Sequence, residues 1–169
     1  MERLWSPWRL AYVTGTTRET DCIFCDAVAG VEPPLVVHRG TACFVILNLY
    51  PYNNGHLMVV PNRHIASLAE ATSDELAEAI ALARVAEIAL TECYAPHGIN
   101  VGINLGKAAG AGVLGHLHVH VVPRWNGDTN FMTVVGDVRV LPEDLAQTAA
   151  RLRPLFARLT GLAATAPPE

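Results

Sequence analysis

Long uncharged apolar runs and an excess of positive charge are both missing from this chain. No stretch reaches membrane-spanning length without a charge, so no transmembrane helix is expected. Residues 1–9 carry charges and a proline where a secretory leader has its apolar run, and the expectation is a soluble, cytoplasmic protein. Acidic residues outnumber basic ones, 16 to 12, giving a formal charge of −4 and a pI near 5.9. That balance excludes the broad basic surface of a duplex nucleic-acid binder, yet is compatible with a small anionic ligand held by local donors. Cysteine is sparse, at four residues, and no disulfide or metal is needed merely to fold 169 residues of which 51% are hydrophobic; by length the chain is one domain. Internal repeats and linkers are absent.

What is present is concentrated in His116-Leu117-His118-Val119-His120-Val121-Val122. In an extended chain alternate side chains share a face, roughly 6.6–6.8 Å apart, so three imidazoles line up while Leu117, Val119 and Val121 face a core. Imidazole titrates near neutrality, so such a row can hold a neutral nucleophile or base beside a proton donor. His-x-His is also a metal-ligand spacing. Just upstream, the run from Leu105 to Gly115 is rich in glycine, which permits positive φ and lets peptide N–H groups approach a phosphate. It is no P-loop, because Ala108 follows Lys107 where Ser or Thr is required.

In chain order, residues 1–20 read as an N-terminal arm whose Leu4, Trp5, Trp8 and Leu10 are expected to pack on the body or on a second subunit. Residues 21–162 form the domain, and 163–169 a loose tail. Cys22-x-x-Cys25 suggests metal or redox chemistry; zinc would need two more ligands, and His64 and His116 are available. Cys43 and Cys93 read as small core residues. Leu35–His38, Ala42–Leu47 and His56–Val60 are β-rich runs that form an antiparallel meander, the last stopped by Pro61. Thr72-Ser73-Asp74-Glu75 is a capping box ahead of Leu76, Ala79, Ile80, Ala83, Ile88 and Leu90, predicting one long helix that ends near Tyr94, before Pro96. Ile99 to Asn104 alternates as a half-buried strand, with Asn100 and Asn104 facing away from the core. The triad strand follows. Phe131 to Val140 is β-prone, and Pro142 to Leu145 opens a last helix that Pro154 interrupts or kinks.

The seven residues His116 to Val122 resemble the signature of the histidine triad (HIT) superfamily. Phe44 to Asn48, Pro51, Gly55-His56 and Pro123-Arg124 match the fragile-histidine-triad branch at similar spacings. Trp5-x-Pro7-Trp8-Arg9, Asn48 to Tyr52 and Pro123 to Asp128 look most like its bacterial diadenosine-tetraphosphate phosphorylase-like members. The resemblance implies an α+β fold: an antiparallel sheet of about five strands with one long helix and a C-terminal helix, dimerised through the long helix and an adjacent strand, a tetramer being the other form. It implies cleavage of dinucleoside polyphosphates by a phosphorylase or related hydrolase, through a nucleotidyl-His118 intermediate, His120 donating to the α-phosphate and His56 orienting the triad. Asn48 matches the ribose-binding residue, and Asn104, Gly112, Val113 and Leu114 match phosphate contacts. Cys22, Cys25, His64 and His116 match the ligands of a structural zinc in other bacterial members. Val113 departs from the pattern, standing where fragile-type enzymes carry a hydroxyl, and bears on the choice of water or phosphate as acceptor. Other activities compatible with the motif are adenosine phosphoramidate hydrolysis and nucleotide binding with slow turnover.

Overall fold

In this computed structural model, residues 22–30, 35–128 and 143–165 are described. The expected arm (1–20), the β-prone Phe131–Val140 segment and Pro142 lie outside them.

Among the described residues there are three α-helices and five strands: α1 (Ile23–Ala29), β1 (Val36–Arg39), β2 (Cys43–Leu47), β3 (Leu57–Pro61), α2 (Ser73–Tyr94), β4 (Gly98–Ile103), β5 (Val119–Arg124) and α3 (Leu145–Thr165). The strands form one antiparallel sheet in the order β1-β2-β3-β5-β4. The α+β sheet expected from the sequence is therefore present. The β1–β2 turn is held from afar. Glu78 on α2 accepts from the backbone N–H groups of Thr41 (2.7 Å), Ala42 (2.5 Å) and Cys43 (3.0 Å).

Thr72 and Glu75 make the reciprocal capping box, at 3.2 and 2.8 Å. Glu75 also binds the Arg63 guanidinium through both oxygens at 2.7 Å, and that partner, ahead of the Thr72 N–H, holds its carboxyl down to about 2. The face of α2 toward the sheet is mostly alanine: Ala79, Ala83, Ala86 and Ala89 are buried with Leu82 and Leu90, and small side chains let the helix lie close. Ile80, expected on that face, is 63% exposed. At about 100° per residue it lies nearly opposite Leu82, off the buried stripe. Leu76 and Ile88 are half-buried.

The last helix starts at Leu145, later than expected, because the Asp144 carboxylate accepts the Gln147 N–H (2.9 Å) and acts as its cap. It continues through Pro154 to Thr165, beyond the expected boundary at 162, and buries Ala149, Leu152 and Phe156 against α2 and β1. No described helix is long and apolar enough to cross a membrane.

One correction concerns the triad. The strand ladder begins at Val119, so His116, at a bend, and His118 lie in the segment leading into the strand. Pairing stops there on both sides: β4 ends with Ile103 opposite Val119, and the ladder with β3 ends at Val59, although β3 itself runs on to Pro61 beside β2. The lead-in is anchored by Leu117 N–H to Ile65 O at 2.6 Å and by the His116 ring to the Pro61 carbonyl.

Candidate active site and metal centre

Sheet register sets the positions of the imidazoles. Met58 on β3 and Gly102 on β4 flank His120, and Val119 and Val121 point into the core, as alternation predicts. The imidazole face is covered as well: His116, His118 and His120 are 1%, 4% and 8% exposed. Phe24 of α1 lies over it, its ring 5.3 Å from that of His116 and 5.1 Å from that of His118.

Partners of known polarity fix the protons. His118 Nδ1 is 2.8 Å from the His116 carbonyl, which only accepts, so Nδ1 carries the hydrogen and Nε2 keeps its lone pair. His56 Nδ1 accepts the Tyr52 backbone N–H (3.1 Å) and faces the Asn48 amide (3.3 Å), leaving the His56 proton on Nε2 to be donated to His120 Nδ1 at 3.0 Å. Neutral His120 therefore presents an Nε2–H; Asn104 Nδ2, itself a donor, lies 3.5 Å from that nitrogen and makes no hydrogen bond to it in this tautomer. Burial pushes His118 below the usual imidazole range, partly offset by the His116 carbonyl; burial and then His118 push His120 down to about 4. Both rings are neutral at pH 7.

Asn48 and Asn104, expected to contact ribose and phosphate, lie beside His56 and His120 respectively, and Asn48 is steadied by accepting the Tyr50 N–H (2.9 Å). The loop behaves differently. None of the described hydrogen bonds joins Gly112, Val113 or Leu114 to an imidazole; Val113 packs against the core and Leu114 is 54% exposed. Sequence reasoning missed Tyr52, whose ring also packs on His56 and His120 at 4.7 and 5.9 Å. It missed Phe24 too. The only signal for Phe24 is its place inside Cys22-x-x-Cys25. Beyond His120 the surface opens into a cleft of about 410 Å³ over the β4–β5 ladder, bounded by Tyr52 and by Arg124 with Asp128.

A second cluster abuts the triad. Ligating atoms of Cys22, Cys25, His64 and His116 all lie within 4.8 Å of one another. His116 Nε2–H donates to the Pro61 carbonyl (2.8 Å), which turns its Nδ1 lone pair to Cys22 Sγ (3.3 Å) and Cys25 Sγ (3.7 Å), while His64 Nδ1 is 3.2 Å from Cys25 Sγ. Tetrahedral zinc bonds of ~2.0–2.3 Å place ligand atoms roughly 3.3–3.8 Å apart, so this two-sulfur, two-nitrogen set fits the ion.

A row of imidazoles with set protons, on one antiparallel sheet beneath a two-cysteine helix, defines the class. The chain belongs to the HIT domain family, which matches residues 29–127. Within it, AP-4-A phosphorylase of Mycobacterium tuberculosis is 42% identical over 167 residues, spanning 94% of this chain and 86% of that one. Among solved structures, a zinc-bound histidine triad family protein from Mycobacterium smegmatis superposes with a TM-score of 0.69 at 31% identity, over 84% of this chain and 97% of that one. The Plasmodium falciparum diadenosine triphosphate hydrolase, at 15% identity, is a likeness of fold: its TM-score is 0.60, over 77% of this chain and 79% of that one.

Proposed function

We propose that the protein is a cytoplasmic nucleotidyl transferase that cleaves dinucleoside polyphosphates, with inorganic phosphate as acceptor. The observation that carries this reading is the Nδ1–H of His118 on the His116 carbonyl, which leaves the lone pair of the neutral ring on Nε2. In the first step that nitrogen bonds to the α-phosphorus and the bridging P–O bond breaks, releasing the nucleoside polyphosphate. The His118 ring gains positive charge, and the His116 carbonyl faces it. His120 Nε2–H donates to a nonbridging α-phosphate oxygen, His56 holds His120 in that tautomer, and Asn48 takes the ribose. Asn104 and backbone donors from Gly112 to Leu114 steady the charge on phosphorus. In the second step phosphate attacks, the P–N bond breaks, and a nucleoside diphosphate leaves. The phosphorylase among the relatives supports this choice of acceptor. Val113, with no hydroxyl to position water, supports it too.

Cys22, Cys25, His64 and His116 would hold one structural zinc, tying α1 to the triad lead-in. The chain would assemble as a homodimer, or a tetramer built from it, through α2 and β4; Ile80 at 63% and Val101 at 54% exposure are apolar groups for such a contact. Incubation with diadenosine tetraphosphate and isotopically labelled phosphate tests the reaction. ATP and ADP labelled at its β-phosphate are expected; cleavage with no label incorporated would make the protein a hydrolase, and no cleavage would remove the reading.

A further inference from the structure

The cleft beyond His120 is lined by β4, by β5 and by Tyr52 and Asn53 of the β2–β3 loop, and Asn48 is not among its lining residues. Asn48 follows β2 and meets His56 on the β3 side, whereas the cleft is walled by β4, where Gly102 pairs with His120 and Asn100 with Val122. At about 410 Å³ it falls within the roughly 300–1,000 Å³ of small-molecule pockets.

Its chemistry is selective. Arg124 is the cation of the lining, and its charge is already matched: Nε and one terminal nitrogen donate to the two oxygens of Asp128 at 2.6 and 2.9 Å, and the other terminal nitrogen donates to Asn100 Oδ1 at 2.9 Å. Asn53 donates to the same carboxylate at 2.7 Å. A polyphosphate pushed to this end would meet a neutralised guanidinium and a carboxylate, and the chain's one lysine, Lys107, is not among the lining residues. An uncharged ligand suits it better. Asn53, which donates to Asp128 and to the Pro123 carbonyl, keeps its Oδ1 as an acceptor, and Asn100, whose Oδ1 is taken by Arg124, keeps its N–H groups as donors for a base edge or ribose hydroxyls; Tyr52, 42% exposed, supplies an aromatic wall beside His120. Gly102 leaves the floor open, since a Cβ built there would meet nothing within 4 Å.

We propose that this cleft is the subsite for the second nucleoside of the substrate, the one that departs with the polyphosphate. The proposal rests on the nucleotidyl-transfer reading and makes it narrower, for it assigns the preference for two nucleosides to particular residues. Phosphates would span the His118–His120 end, and the leaving base would stack at Tyr52 with its polar edge toward Asn53 and Asn100.

The test compares kcat/KM for diadenosine tetraphosphate with that for adenosine tetraphosphate, which has the same four phosphates and lacks the second nucleoside. Losing one base–aromatic stack predicts a wild-type ratio of at least about fivefold in favour of the dinucleoside compound. Gly102→Val, which fills the floor from a strand position with open space, is expected to bring that ratio toward one, chiefly through KM. Asn100→Ala, further from His120, is expected to lower it as well, and answers the question if the valine disturbs His120. A wild-type ratio near one, or a ratio unmoved by both variants, overturns the subsite while leaving nucleotidyl transfer standing. Cleavage of neither compound overturns the transfer reading and the subsite with it.

Discussion

The His56–His120 pair depends on an amide hydrogen that any residue at position 52 except proline would supply. This is why the sequence displays the histidines, by alternation, and hides what sets their protons: a backbone N–H leaves no mark on residue type. His118→Ala is expected to lower turnover by several orders of magnitude and to abolish any covalent nucleotidyl adduct seen by mass spectrometry, with nucleotide binding retained through Asn48. Near-native turnover in that variant would refute the mechanism. His120→Ala should be milder, because it removes a donor and leaves the nucleophile. His120 also links stability to pH. Its pKa falls from 6.5 to about 4 on folding, so between those values the unfolded chain binds the proton more readily. The stability gained by keeping the ring neutral is intact above pH 6.5 and is lost as pH drops through about 4. Melting temperature should therefore decline from pH 7 to pH 5, and His120→Asn should flatten the decline; equal slopes would show that other groups carry it.

Among the elements, α2 is the most legible, since a capping box opens it at Thr72 and Pro96 follows its end at Tyr94. Its tertiary duties were not. Glu78 caps a hairpin 35 to 37 residues away, and Glu75 serves Arg63 besides its own N-terminus; nothing in a helical repeat announces a long-range partner. The start of β5 is hidden for a related reason: β4 ends at Ile103, and the chain before Val119 bonds to Ile65 instead of to β3, neither of which shows in the alternation of the triad. Gly40 exposes the Glu78 arrangement to test. A Cβ there would sit 2.3 Å from Glu78 Oε1 and 2.9 Å from the Cys43 carbonyl, which backbone cannot easily yield. Gly40→Ala is expected to displace the carboxylate from the three amides and cost about 1–3 kcal/mol. At about 2–4 °C per kcal/mol, thermal denaturation can resolve this. An unchanged melting temperature would mean that the hairpin does not need the cap.

For the molecule as a whole, the metal cluster joins parts far apart in sequence: Cys22 and His116 are 94 residues from each other. Elemental analysis of protein purified without added metal should find one zinc per chain. Chelation should lower the melting temperature and leave turnover measurable where the fold persists, because the proposed nucleophile is His118 and a structural ion would take no part in bond making. Absence of zinc, with Cys22 and Cys25 oxidised to a disulfide, would defeat the site. The outer edge of β4 carries a different consequence. No described strand pairs with it, yet its Asn100 and Gly102 wall the cleft. If two copies join along this edge, catalytic rate becomes a property of the solution as well as of the chain: specific activity should decay on serial dilution, recover on reconcentration, and decay first with the dinucleoside substrate. A flat dilution curve would mean that each polypeptide works alone.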